Sequence, residues 1–210
     1  MAKKEIRYLM QPLEVREAKD KAATVEGYAA VFNSDSVDMG FTERIDPKAF
    51  DGVIERSDVV ALYNHNETPG VLARSTNGEG TLHLEVNDHG LRCSFQMPDT
   101  TLGRDLTESC KRGDIKGMSF AFTVESDTWE HRKDDTYLRT INQIDRLFDV
   151  SLVVTPAYPA TSVETKGLDE LKAKETLEKH RQEEAEQRKA DDAKRQDLLE
   201  YYSSLRRRIY

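Results

Sequence analysis

The chain has 210 residues, 37% of them hydrophobic and 33% charged, with a formal net charge of −8 at pH 7. That length allows one domain of ordinary size plus an extension, and the acidic balance argues against the phosphate-driven binding of nucleic acid. No apolar run is long enough to span a bilayer, the start MAKKEIRYLMQPLEV lacks the apolar segment of a signal peptide, and two cysteines without a CxxC pair indicate neither a disulfide scaffold nor a zinc site. The default location is therefore the cytoplasm, with no membrane or nucleic-acid partner and no cofactor expected.

In chain order, the first strand is predicted over 23–32 (ATVEGYAAVF), followed by a short helix Pro47–Glu55 with Asp46 as its cap and Pro47 at its first position. The apolar run 58–64 predicts a strand that delivers His65 to the loop NETPG. Strands over 81–86 and 90–97 flank Asn87-Asp88-His89-Gly90, a hairpin turn by its residue types. A second helix is predicted over Thr101–Arg112, ended by Gly113. Three more strands are expected at 117–124, 137–144 and 147–154. Many strands and few helices imply an α+β domain, mainly an antiparallel β-barrel, closed or nearly so, with a few short helices around it.

All six prolines and all eleven glycines lie at or before Gly167. The remainder, 168–210, is rich in strong helix formers and balanced in charge, with 11 basic and 11 acidic residues, so the whole net charge belongs to 1–167. From Lys172 to Asp197 its only large aliphatic side chain is Leu177, which predicts a solvated helix or a partly disordered segment. Leu198, Leu199, Tyr202, Leu205 and Ile209 then recur at helical spacing and define an apolar face beside Arg206–Arg208. Two parts follow: a domain over 1–167 and a charged helical tail over 168–210.

The strand GMSFAFTV carries Met118, Phe120, Phe122 and Val124 on one face and the small residues Ser119, Ala121 and Thr123 on the other. A small face admits a neighbouring helix or a substrate, and Ser119 is a candidate nucleophile if a base is at hand. Of five histidines, His83 alternates with apolar residues and faces water, His89 sits in the hairpin turn, His131 in a polar loop and His180 in the charged tail. His65, at a strand end, remains, the alternative being a hydrogen-bonded surface histidine. A carboxylate that fixes its tautomer is sought in DRLFDVSLVV, where Asp149 lies inside a strand that otherwise disfavours aspartate. A structural ion pair of Asp149 with an arginine, or an exposed edge, is the competing reading, and Asp145 is the rival acceptor. Cys93 reads as core and Cys110 as a late helical residue; there is no G-x-S-x-G elbow, P-loop or dinucleotide fingerprint.

His65 followed by PGVLAR, HGLRCSFQMPDT at 89–100, RGDIKGMSFAF at 112–122 and FDVSLVVTPAYPAT at 148–161, in this order, resemble the prohead proteases of tailed bacteriophages over most of 20–165. The resemblance implies a serine endopeptidase enclosed in the immature capsid in the host cytoplasm. It would remove scaffolding segments of the major capsid protein, and cleave itself, so that the shell can mature; a homo-oligomer is also within its scope. It further implies a fold shared with herpesvirus maturational proteases, a β-barrel ringed by helices, with Ser119, His65 and Asp149 as catalytic residues. The family often has an acidic residue, commonly Glu, where Asp149 stands. Thr155–Ala157 amides or Arg146 are candidate oxyanion donors. A noncatalytic scaffolding protein of the same particle is the alternative, and a small-ester hydrolase a third.

Overall fold

The computed structural model describes residues 3–9, 11–16, 22–154 and 166–209, the side chains of 166, 192, 193 and 197–209 excepted. The described chain falls into two units, divided between Thr165 and Lys166.

The first unit is built from eleven strands. These are β1 (Glu5–Leu9), β2 (Glu14–Arg16), β3 (Thr24–Val31), β4 (Thr42–Ile45), β5 (Asp58–Tyr63), β6 (Ala73–Thr76), β7 (Glu79–Gly80), β8 (Leu82–Val86), β9 (Gly90–Gln96), β10 (Gly117–His131) and β11 (Tyr137–Val153). One sheet runs β1-β10-β11-β5-β6-β7, with β4 added in parallel to the far half of β11; the other runs β2-β3-β9-β8. Among the described residues neither sheet closes, so the architecture is mixed α+β with two open sheets and not the expected closed barrel. Closure is unnecessary because the sheets bury apolar side chains in one common core. Val25, Leu91, Cys93 and Phe95 of the smaller sheet join Met118, Phe120, Phe122, Val150 and Leu152 of the larger one.

The segments expected at 137–144 and 147–154 are one strand, β11. Its register against β10 slips where Ala121 faces Asp149 and Phe122 faces Leu147, leaving Phe148 as the extra residue of a bulge. The slip lets an interrupted apolar pattern continue as a single strand and fixes which side chains share a face with Ser119. Across the pair, Ser119 faces Ser151 and Ala121 faces Asp149.

Helix α1 occupies Thr101–Arg112 as expected, with the Thr100 side chain accepting from the Gly103 N–H and Gly113 left-handed at φ +76°. The helix expected at Pro47–Glu55 is instead a run of turns closed by a 3-10 turn at Ile54–Arg56. Asp46 does begin it, accepting from the Lys48 N–H, but Gly52 at φ +65° breaks any helical continuation. The second unit is helix α2, Lys166–Ile209, 44 residues whose described side chains are almost all exposed. The apolar face predicted over 198–209 lies outside the described side chains.

Candidate active site

Strand β5 leaves the sheet at Tyr63, and the next two residues, Asn64 and His65, are both left-handed, with φ of 51° and 57°. Left-handed backbone costs a non-glycine residue roughly 1–2 kcal/mol, so these two need compensation. The Asn64 N–H donates to the Leu152 carbonyl at 3.0 Å, the His65 N–H to Ser151 Oγ at 3.2 Å, and the Asn66 N–H to the Tyr63 carbonyl at 3.1 Å. This tight reversal turns the imidazole back over β10 and β11. There the parallel partner β5 places Val60 beside Asp149 and Leu62 beside Ser151.

The imidazole bridges two residues that the β10–β11 register has already put on one face. His65 Nδ1 lies 2.5 Å from Asp149 Oδ1, and His65 Nε2 lies 2.5 Å from Ser119 Oγ. A carboxylate only accepts, so the ring proton sits on Nδ1 and Nε2 presents its lone pair to the Ser119 hydroxyl. The side chains of His65 and Asp149 are 12% and 3% exposed, and Ser119 is fully buried. Ala121, fully buried, stands in register with Asp149. Ser119, His65 and Asp149, separate in the sequence, are thus brought together.

Burial by itself pushes the Asp149 carboxyl up; the hydrogen bond and charge of His65, and the charge of Lys4, outweigh it and hold the group below the usual carboxylate range. Lys4 Nζ lies 3.2 Å from Asp149 Oδ2 and 5.1 Å from the centre of the Phe148 ring. Asp145, the rival carboxylate, accepts from Thr123 Oγ1 at 3.0 Å and takes no part in this chain of contacts. Arg146 is exposed and stands in register with Thr123, not with Ser119. The amides of 155–157, the other candidate oxyanion donors, lie outside the described residues. Both cysteines are buried, and burial pushes the Cys93 thiol up to about 12 and the Cys110 thiol up to about 11, so neither is a nucleophile near neutral pH.

Three neighbours escaped the sequence reading. Strand β1 pairs antiparallel with β10 so that Tyr8 stands opposite Ser119. The Tyr8 ring meets His65 edge-on at 5.9 Å, and the Arg7 carbonyl lies 2.8 Å from Ser119 Oγ as a second acceptor for the one hydroxyl proton. Ser151 is the third. Its one sequence signal is a hydroxyl two residues after Asp149 on the same strand face. Two clefts of about 420 and 560 Å³ flank Met97 and Pro98, and neither is lined by Ser119, His65 or Asp149. Among the described residues no group of three His, Cys, Asp or Glu side chains could hold a metal ion, and no helix is long and apolar enough to cross a membrane.

A serine hydroxyl on an imidazole, itself on a buried carboxylate, is the arrangement of a serine hydrolase, here carried on a two-sheet α+β scaffold. The chain belongs to the caudovirus prohead serine protease family, whose profile matches residues 11–177. Membership indicates serine protease activity in the maturation of a tailed-phage capsid. The match excludes β1 and most of α2. Among solved structures, the capsid assembly protease of bacteriophage T4 is similar with a TM-score of 0.51 and 10% identity, over 71% of this chain and 96% of that one. At that identity the likeness is one of fold. No curated protein matches by sequence.

Proposed function

We propose that the chain is an endopeptidase that cuts the scaffolding segment of the major capsid protein, and its own chain, inside the assembling prohead. Ser119 is the nucleophile, His65 the general base and Asp149 the orienting carboxylate. The observation that carries this reading is the unbroken relay Ser119 Oγ–His65 Nε2 and His65 Nδ1–Asp149 Oδ1, each contact 2.5 Å. In acylation Ser119 Oγ would bond to the scissile carbonyl carbon while its proton passes to Nε2. The imidazolium, stabilised by Asp149, would return that proton to the leaving amine, and water would release the acyl group by the same route. The chain order of base, nucleophile and third member, His65, Ser119 and Asp149, supports the kinship with herpesvirus proteases that the sequence resemblance implies, although those enzymes have a histidine as the third member.

Residues 1–167 would form the protease domain, and 168–210 a tail that binds the helical scaffolding segment of the shell protein and carries the enzyme into the particle. The deciding experiment co-expresses the chain with its capsid protein and sequences the new termini. Ser119→Ala should fold normally and abolish cleavage, since loss of the nucleophile costs on the order of 10^6 in turnover. Full processing by that variant would refute the assignment and leave a scaffolding role.

A further inference from the structure

Ser151 is fully buried and belongs to none of the three catalytic assignments, yet it touches two of those residues. Its Oγ lies 3.0 Å from Asp149 Oδ1, accepts the His65 backbone N–H at 3.2 Å, and stands 3.3 Å from His65 Nδ1. A hydroxyl has one proton and two lone pairs. With the Nδ1 proton directed at Asp149, the Ser151 proton also goes to Asp149 Oδ1, and a Ser151 lone pair receives the His65 N–H.

One small group therefore fixes both halves of the base. It anchors the backbone of a left-handed non-glycine residue, and it holds the carboxylate in the rotamer that meets the ring. Among the described residues, no other hydrogen-bonds both the His65 backbone and the Asp149 carboxylate. Register explains why the position exists: Ser151 faces Ser119 across β10–β11 and Leu62 across β11–β5, so a hydroxyl there lies under the ring that spans the gap.

We infer that Ser151 is a positioning residue for the His65–Asp149 pair, rather than a space-filling core serine. It touches no substrate and acts through those two side chains. The inference rests on the protease reading above, and the test is arranged to separate the two. The probe is a small fluorophosphonate, which labels an activated serine, applied to the full-length chain across pH 5 to 9 with the labelled residue identified by mass. Wild-type labelling at Ser119, lost on Ser119→Ala, supports the protease reading; its absence overturns that reading and this inference with it.

Given that labelling, Ser151→Ala should slow it about 10- to 100-fold at saturating pH, with the half-saturating probe concentration unchanged. It should also move the acid limb of the rate profile to higher pH. A carboxylate that has lost one hydrogen-bond donor is the stronger base, and it favours the imidazolium more. Ser151→Cys keeps the space filled, with a somewhat larger atom, but has only a weak donor, so unlike alanine it leaves no cavity while it weakens the hydrogen bonding. A thiol variant that behaves like Ser151→Ala supports the positioning role. A thiol variant at the wild-type rate and acid limb, or an alanine variant unchanged in both, overturns it.

Discussion

At the scale of single residues, Asp149 gives the sharpest expectation. Its carboxyl is held below its ordinary value in the folded chain, first against burial and then through His65 and Lys4. A depressed folded value means that the group stabilises the fold above the ordinary carboxylate range, about pH 4, and that this contribution is lost as pH falls through the folded value. Asp149→Asn should therefore unfold at lower urea than wild type at pH 7, and the gap should close in acid. A gap that is constant from pH 7 to pH 3 would show that the carboxyl titrates alike in the folded and unfolded chains, without the depression that His65 and Lys4 impose. For activity, Asp149→Asn should cost on the order of 10^4, as loss of the tautomer-fixing carboxylate does elsewhere, less than Ser119→Ala. Asp145→Asn, whose carboxylate accepts from Thr123 and lies outside the Ser119–His65–Asp149 contacts, should leave capsid-protein cleavage near wild type. His65 stood out in the sequence by elimination among five histidines and Asp149 as an aspartate inside a strand, and the family resemblance joined the two to Ser119. Ser151 did not stand out, since a serine on a small face looks like any other.

At the scale of elements, strands β1 and β4 are held by buried ions where apolar contacts would be expected. Arg139, 1% exposed on β11, lies 2.7 and 3.0 Å from Glu5 on β1, 3.0 Å from Glu43 on β4 and 2.6 Å from Asp127 on β10. Arg7 joins the same cluster, 2.5 Å from both Glu5 and Glu43, and Trp129 covers the Arg139 guanidinium at 5.6 Å. This explains why neither strand was foreseen. EIRYL and TERI put charged residues where a buried strand face ordinarily shows apolar ones, and periodicity reads hydrophobicity, not pairing. Removing Arg139 leaves Arg7 to face Glu5 and Glu43 alone and leaves Asp127 without its Arg139 bond, and breaking a buried ionic contact of this kind costs about 3–5 kcal/mol. Arg139→Met should lose about that much in urea unfolding, and adding Glu5→Gln should recover part of it. A loss under 1 kcal/mol for Arg139→Met would mean that the cluster is not what fastens the two strands. The helix expected at 47–55 fails to form for a different reason: Gly52 looks tolerable in a short helix until its φ of +65° is seen.

At the scale of the whole molecule, prolines and glycines stop at Gly167, and the described chain divides into its two units between Thr165 and Lys166. The barrel expected from the number of strands is not closed among the described residues, because which strands pair is decided by residues far apart in sequence and local pattern does not encode it. A straight helix of 44 residues would extend about 66 Å at 1.5 Å per residue, long enough to lie beside another helix over many turns. Deleting 168–210 should spare hydrolysis of a short peptide while removing the enzyme from purified proheads; a truncated chain found there in normal amount would defeat the targeting role. The long-range pairings also govern when the chemistry first becomes available. Ser119 lies 54 residues after His65, His65 lies 84 residues before Asp149, and Glu5 clasps Arg139 across 134 positions. At about 5–20 residues per second, a ribosome has made His65 and Ser119 seconds before it supplies β11, and until then no fragment holds the relay. Every nascent fragment that ends before β11 therefore lacks the third member of the proposed relay, and the last strand made is the part that completes it.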